Sequence, residues 1–369
     1  MIAPARVGLV GCGAISNAYV TNAAAFDRFD IVACSDRDEA RSASLALQHG
    51  LEAMAVDALL ADPEIDIVLN LTPPAAHDAV TRAALEHGKH VYSEKPLAMT
   101  APDAVSLVEL ADARGLTLAC APDVFLGGAL QAARRLIDDG AIGRPLAVSA
   151  TMLGGGQEAW HPDPDIFFRD GAGPLLDMGP YYIGALVALL GPVRRVAGFA
   201  TTFVDERTIE IGPRSGERFV AETPTHTTGL LELESGVTAT LVATFEAPHH
   251  YSSTFLVLGS EGTLALPDPN MFAEPIRMRD GHGRDDWAAV AYRTRGRQEV
   301  RGIGLDEQVD AISSGREPRA SGRLALHVVD VARSILKAAE SGDVLSIASS
   351  AARPQAMPVD PPVALRRAE

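Results

Sequence analysis

Cysteine is scarce in this chain of 369 residues: Cys12, Cys34 and Cys120 are far apart and form no Cys-x-x-Cys pair. That spacing speaks against a disulfide framework or a thiolate metal site. Each cysteine sits beside an apolar strand-like run, as buried thiols do. Long apolar runs are missing too, since none approaches the roughly 18 to 20 residues of a membrane span. The first strand-like run, Val7 to Val10, begins almost at the N-terminus with no signal-peptide pattern, so the expected location is cytoplasmic. Positive charge is in deficit, with 32 Lys and Arg against 48 Asp and Glu and a formal charge of −16. Such a balance repels phosphate backbones and anionic lipid, so neither nucleic acid nor membrane is an expected partner.

What is present is an ordinary globular mixture, 47% hydrophobic and 22% charged, in a chain long enough for two domains. The first 120 residues alternate β-branched runs with amphipathic stretches, the pattern of βαβ units on a mostly parallel sheet. Strands are expected near Arg6–Val10, Phe29–Ser35, Ile67–Leu71, His90–Ser93 and Thr117–Ala121, with a weaker one at Glu52–Ala55. Ala104, Leu107, Val108 and Ala111 fall at i, i+3, i+4 and i+7 and predict one apolar helix stripe, with Thr100 and Asp103 as a capping-box-like start.

After Pro122 the pattern changes. A helix around Gly128–Asp138 precedes a strand at Pro145–Leu153, and Gly229–Glu246 and Phe255–Leu266 carry further strand runs separated by turn signals. A last helix is expected over about Leu324–Ala339, followed by a tail rich in Ala, Pro and Ser. The expected division is therefore a dinucleotide-binding domain over 1–122, a second α/β domain on a large open, mostly antiparallel sheet over 123–345, and an extended or mobile tail over 346–369. The helix-free face of that second sheet is the expected oligomerisation surface.

Gly11, Gly13 and Ser16 form Gly-x-Gly-x-x-Ser directly after the first strand and before a helix. In that context Gly11 permits a sharp turn, Gly13 lets a pyrophosphate approach the backbone, and the helix N-terminus supplies oriented N–H groups. Ser16 stands where a third glycine is usual, a position that governs helix packing and accepts a small residue. Asp36 ends the second strand about 20 residues on, where a carboxylate receives ribose hydroxyls and favours NAD; Arg37 beside it suits a 2′-phosphate, so NADP stays open. A turn or cap role for Asp36 ahead of Asp38 stays open as well.

Two stretches end at the ligand edge of the sheet: Asn70-Leu71-Thr72-Pro73-Pro74-Ala75-Ala76-His77 and Tyr92-Ser93-Glu94-Lys95-Pro96. A lysine there polarises a carbonyl or stabilises a developing alkoxide. Together with the glycine loop and Gly88-Lys89-His90-Val91, these motifs resemble the glucose-fructose oxidoreductase and inositol dehydrogenase (Gfo/Idh/MocA) family over nearly the whole chain. Gly171 to Tyr182 resembles that family's Asp-x-Gly-x-His motif, with Asp177 and with Tyr181 in the histidine place.

The resemblance implies a Rossmann domain joined to an α/β domain, NAD as cofactor with NADP possible, and hydride transfer to or from a sugar, inositol or dihydrodiol-like compound. It implies cofactor contacts from Gly11, Gly13, Ala14, Ile15, Asp36, Arg37, Thr72, Pro73, His77, Glu94 and Lys95. It also implies that Lys95 orients the substrate and assists proton transfer, that Tyr181 is acid or base, and that Asp177 positions hydroxyls. A phenol with a pKa of about 10 is a poor base at neutral pH, so a lysine cation lowering that value makes chemical sense. Tyr182 is the alternative phenol, and both a solvated Lys95 and a core Tyr181 remain open.

Trp160 and His161, in a loop with Asp163 and Asp165, are the remaining expected substrate contacts, Trp160 offering a face for stacking. The prolines between those polar residues read as turn chemistry, and no metal site is expected. His249, His250 and His327 are read as surface or core histidines. Two other activities share the fold: an NAD-dependent glycosidase working by transient oxidation, and a non-catalytic NAD-binding sensor. The expected assembly is a homodimer or homotetramer through the C-terminal sheet.

Overall fold

The computed structural model describes residues 3–169, 171–247, 251–281, 286–294 and 296–358. Two compact units are present, one of Met1–Gly127 with Thr294–Val329 and the other of Gly128–Arg293 with Asp330–Glu369. The division after residue 122 thus moves to after Gly127, and the second region is not continuous, because the chain returns to the first unit over 294–329. Tertiary hydrogen bonds explain the return. Gln308 Nε2 donates to the carbonyls of Val91 (2.9 Å) and Thr117 (3.2 Å), and the Gly304 N–H donates to Asp123 Oδ2 (2.9 Å). Nothing in local periodicity announces bonds across such separations.

In the first unit, β1 (Ala5–Val10), β2 (Phe29–Ser35), β3 (Glu52–Ala53), β4 (Ile67–Asn70), β5 (His90–Ser93) and β6 (Leu118–Cys120) form a parallel sheet in the order β3-β2-β1-β4-β5-β6. The central β4 is buried from end to end and β1 and β5 over most of their length, as a parallel sheet with both faces covered requires. The helix Ala101–Arg114 buries Ala104, Leu107, Val108 and Ala111, and Thr100 Oγ1 accepts the Asp103 N–H. The stripe and cap read from the sequence are both there. Strand order reverses between β1 and β4, which is where a doubly wound sheet opens a ligand crevice beyond its carboxyl ends.

In the second unit, β7 (Pro145–Leu153), β8 (Val193–Thr201), β9 (Glu206–Thr208), β10 (Arg218–Val220), β11 (His226–Leu233), β12 (Thr238–Thr244), β13 (Ser252–Gly259), β14 (Gly262–Leu266), β15 (Ile276–Asp280), β16 (Ala288–Val290) and β17 (Leu345–Ser346) follow. Nine of these strands make one sheet in the order β16-β15-β14-β13-β7-β12-β11-β8-β17, and β9 with β10 is a separate antiparallel pair. Every pairing described in the large sheet is antiparallel except β7 with β12. Alternating burial along β7, β11 and β12 shows one face packed and one open. The helix Gly179–Leu190, apolar on all sides, lies on the packed face, where Tyr182 stacks on Phe255 of β13.

Through residue 358 the tail is tied down rather than loose, and 359–369 lie outside the described residues. β17 pairs with β8, the Ile347 N–H donates to Arg194 O (2.9 Å), and the buried Met357 donates its N–H to Gln131 Oε1 (2.7 Å). Among the described residues no helix is long and apolar enough to cross a membrane.

Candidate active site

The glycine loop sits at the carboxyl end of β1. Gly11 adopts φ +102°, and a Cβ there would stand 2.6 Å from the main chain of Leu71 and Thr72, so only glycine fits this crossing of the β1 and β4 loops. Gly13 is different: it is exposed, outside the positive-φ set, and a Cβ on it meets nothing within 4 Å. Open space over a small residue at a helix entrance suits a diphosphate, with Ala14 and Ile15 leading into the helix Ser16–Ala23. Ser16 is buried, and its hydroxyl donates to Gly13 O (2.7 Å), so the serine ties the helix back to the loop.

Asp36 follows β2 with both oxygens engaged: Oδ2 accepts the Cys12 N–H (2.7 Å) and Oδ1 the Asp38 N–H (2.9 Å). Asp38 is the residue that caps the next helix, accepting the Ala40 N–H. Asp36 makes the turn ahead of Asp38 and also holds the glycine loop against the end of β2, and each of its oxygens retains a second lone pair for a hydroxyl donor. Arg37 is exposed. Burial pushes the Cys12 thiol up to about 12, with Cys34 and Asp36 adding to the effect, so it stays protonated near neutral pH.

At the end of β4, the buried Asn70 organises the next loop. Its Oδ1 accepts from the Thr72 N–H (3.2 Å) and hydroxyl (2.7 Å), while its Nδ2 donates to His77 O and Thr81 Oγ1. His77 is 1% exposed, with one ring nitrogen 2.7 Å from Thr72 O and the other 2.6 Å from Pro96 O. Burial lowers its pKa against the raising effect of those carbonyls. The neutral ring carries one N–H and so donates to only one of the two carbonyls, lying between the Thr72-Pro73 and Lys95-Pro96 loops.

Glu94, at the end of β5, is buried with Oε1 accepting the Tyr19 hydroxyl (2.9 Å) and Oε2 the Lys95 N–H (3.0 Å). The fully buried Asp123 lies in the same region, on the Gly304 N–H, and burial raises its pKa despite Arg301. Lys95 is half-buried on the loop that these contacts hold.

In the second unit, Asp177 ends the short helix Pro174–Asp177, and Tyr181 lies in the helix that starts at Gly179. The i, i+4 spacing therefore spans a joint at Met178 rather than one uninterrupted helix. Pro180 lacks an N–H, and the Tyr181 N–H turns to Met178 O (3.1 Å). Asp177 Oδ2 accepts Gln157 Nε2 (3.4 Å), and Gln157 Oε1 accepts the Trp160 indole N–H (3.1 Å). One buried amide thus orients two of the expected substrate contacts, Asp177 and Trp160. Trp160 is 58% exposed and lies edge-on to His161, with Phe167 completing an aromatic trio.

Below this loop, the buried Arg207 pairs with Glu158 (2.6 Å) and Glu246 (2.8 Å) and lies over the Phe168 ring. Tyr182 is buried with its hydroxyl 2.6 Å from Ser253 Oγ, and Tyr181 is buried as well. His161 Nδ1 accepts the Asp163 N–H, and Asp163 and Asp165 pair with Arg214. Among the described residues no group of three or more His, Cys, Asp or Glu is placed to hold a metal.

Residues 5–121 match the model of an oxidoreductase family with an NAD-binding Rossmann fold, and 130–265 match the GFO/IDH/MocA C-terminal domain. A dTDP-3,4-didehydro-2,6-dideoxy-alpha-D-glucose 3-reductase from Streptomyces violaceoruber is 32% identical over 82% of this chain and 88% of its own. The chain belongs to the GFO/IDH/MocA family of oxidoreductases. A 1,5-anhydro-D-fructose reductase from Ensifer adhaerens is 27% identical over 93% of this chain and 98% of its own. Levoglucosan dehydrogenase, solved with NADH and levoglucosan, shares the fold at a TM-score of 0.81 and 20% identity, covering 94% of this chain and all of the other.

Within this family member the first unit gathers Gly11, Gly13, Asp36, Thr72, His77, Glu94 and Lys95 at the carboxyl ends of β1, β2, β4 and β5. The second gathers Trp160, His161 and Asp177 around Gln157. Sequence reading passed over Tyr19, Asn70, Gln157 and Arg207 as site residues, because each works through a partner chosen by tertiary contact. His327 is buried; His249 and His250 lie outside the described residues.

Proposed function

We propose that this oxidoreductase moves a hydride between nicotinamide and a sugar, inositol or dihydrodiol-like alcohol or carbonyl, with NAD favoured over NADP. The observation that carries the reading is the open, exposed Gly13 at the β1–β4 reversal, with the Asp36 carboxylate anchored on Cys12 where ribose hydroxyls would donate. A 2′-phosphate there would face that carboxylate, with the exposed Arg37 as its one neighbouring cation. When bound, nicotinamide supplies the hydride acceptor or donor at C4.

The chain's own residues supply geometry and proton handling. Gly13, Ala14 and Ile15 receive the diphosphate, Thr72 and Pro73 flank it, and His77 packs between the Thr72 and Pro96 carbonyls and donates to one of them. Glu94, clamped by Tyr19, sets the course of the main chain into Lys95. Lys95 stabilises charge on the reacting oxygen and assists proton transfer, Tyr181 gives or takes the proton, and Asp177 accepts hydrogen bonds from substrate hydroxyls. Trp160 offers an apolar face to sugar C–H groups.

The test is nicotinamide absorbance across aldoses, polyols, inositols and dihydrodiols, with NAD and NADP separately, for the wild type and Lys95→Met. Turnover that depends on Lys95, with cofactor binding retained in the variant, is the expected result. Undiminished turnover in Lys95→Met would refute the role of the lysine. Silence across the panel with NAD still bound would transfer the reading to the glycosidase or the sensor.

The same proposal includes pairing of copies through the second sheet. Phe199 (78% exposed), Leu230 (50%) and Leu258 (38%) share its open face by strand register. A Phe199→Glu, Leu230→Glu variant should sediment as a smaller species than the wild type. An unchanged sedimentation coefficient would refute this surface.

A further inference from the structure

Trp160 stands on a connection, 154–169, whose one regular element is the 3-10 turn Pro164–Phe167. A stretch so poor in regular hydrogen bonding holds a single geometry only where other elements fix it. The β9–β10 pair does so. It lies outside the nine-stranded sheet, and over 206–220 only Arg207 and Ile209 are buried, so it adds little apolar core of its own. Its contacts are spread along the connection instead. The Glu210 N–H donates to Glu158 O (3.1 Å), Arg214 pairs with Asp163 (3.1 Å) and Asp165 (2.9 Å), and the Phe219 ring lies 5.3 Å from that of Phe168.

Arg207 is at the centre of these contacts. Its guanidinium holds Glu158 (2.6 Å) on one side and Glu246, just past β12, on the other (2.8 Å). Glu246 is fixed in turn by the Thr225 hydroxyl and the Val204 N–H (3.3 Å), so one buried cation ties the connection to the large sheet. Gly156 lies over the same ion pair at φ +85°, where a side chain would strike Glu158 and Arg207. A buried ion cluster is a costly way to hold a loop, since apolar packing of similar volume is often as stable. What charge-assisted hydrogen bonds add is direction. Direction matters here because Glu158 follows Gln157, the amide that meets Asp177 Oδ2 and the Trp160 indole N–H.

We propose that Arg207 is a positioning residue of the substrate site: through Glu158 it fixes the backbone at Gln157, and with it the placing of the Trp160 face and the Asp177 carboxylate. The β9–β10 pair is the element that sets this geometry. The proposal rests on the reading of Trp160 and Asp177 as substrate contacts. Loosening the tie lowers affinity for the substrate and leaves the glycine loop, which belongs to the other unit, as it was.

The test variants are Glu158→Ala and Glu158→Gln, both of which leave Arg207 balanced by Glu246 and should fold, with Trp160→Ala as the reference. Nicotinamide absorbance gives KM and kcat for D-xylose, D-glucose, levoglucosan and myo-inositol at saturating NAD, and calorimetry gives the NAD dissociation constant. Fluorescence anisotropy of Trp160 is read in a Trp287→Phe background, which removes the other tryptophan. Glu158→Ala should raise KM at least about fivefold for whichever compound turns over, with kcat and NAD affinity within about twofold of wild type, because binding shared by ground state and transition state is lost. Trp160 anisotropy should fall in the folded variant. Glu158→Gln, which still accepts from Arg207, should recover part of both effects. Arg207→Lys, which keeps the charge and loses the planar fork, should raise KM in the same sense. Wild-type KM in Glu158→Ala and Arg207→Lys overturns the proposal whatever urea unfolding shows, since the cluster then serves stability alone. Unchanged Trp160 anisotropy overturns it too. If Trp160→Ala itself leaves KM unchanged, the reading of Trp160 as a substrate contact fails, and this proposal falls with it; if Trp160→Ala raises KM and the Glu158 and Arg207 variants do not, this proposal falls alone.

Discussion

A methyl group added at Gly13 and one added at Gly11 should have opposite consequences, and the contrast tests the cofactor loop without a bound cofactor in view. At Gly13 an added Cβ meets nothing within 4 Å and the backbone is outside the positive-φ set. Alanine there should leave folding unchanged or raise stability by up to about 1 kcal/mol, through a less flexible unfolded chain. If that space receives a diphosphate, the methyl displaces it from the N–H groups at the helix entrance. Losing one charge-assisted hydrogen bond costs about 1.5–3 kcal/mol, which is roughly a tenfold to hundredfold weaker NAD complex. At Gly11 the same methyl lies 2.6 Å from the Leu71 and Thr72 main chain at φ +102°. Backbone strain of about 1–3 kcal/mol adds there to the clash, so Gly11→Ala should lower stability itself. Urea unfolding and calorimetric NAD titration read the two quantities separately. A Gly13→Ala protein that folds normally and binds NAD as tightly as the wild type would refute the assignment of this loop to the cofactor.

Removing Arg207 should be costly, since Arg207→Met leaves Glu158 and Glu246 facing each other without their shared cation; a loss of about 3–5 kcal/mol in urea unfolding is expected, and a change under 1 kcal/mol would contradict it. The His77 ring, whose pKa is lowered in the folded state, is charged more readily in the unfolded chain. Its contribution is therefore complete above about pH 6.5 and is lost as pH falls below that value, so His77→Gln should flatten the stability decline between about pH 7 and 5. An identical slope in the two proteins would show that the ring titrates alike folded and unfolded. Tyr181→Phe should abolish most turnover. Tyr182→Phe should retain turnover and lose about 1 kcal/mol with the Ser253 contact, and the reverse pattern would make Tyr182 the reactive phenol.

Much of the architecture was legible before any coordinates. The strands at Phe29–Ser35, His90–Ser93 and Pro145–Leu153 and the helix stripe from Ala104 to Ala111 appear where local pattern placed them. So do the glycine loop and the two motif-bearing strand ends, because alternation, helical period and turn residues act over a few neighbours. The joint at Met178 was less legible: Asp177 and Tyr181 look like one helical face until Pro180 breaks the hydrogen-bond ladder. What Asp36 and His77 touch was not legible either: Asp36 anchors the glycine loop and His77 lies between two loops, contacts that local pattern does not announce.

By itself the amino-acid sequence determined the Rossmann half, the mostly antiparallel sheet, the acidic charge balance and the family, since each follows from local periodicity or from contiguous motifs. Tertiary structure alone decided that residues 294–329 rejoin the first unit, that Gln157 couples Asp177 to Trp160, and that the buried Arg207 bridges Glu158 and Glu246. The reason is physical: a side chain's partner across tens or hundreds of residues is selected by how elements pack, and only the folded chain brings those atoms within hydrogen-bond reach.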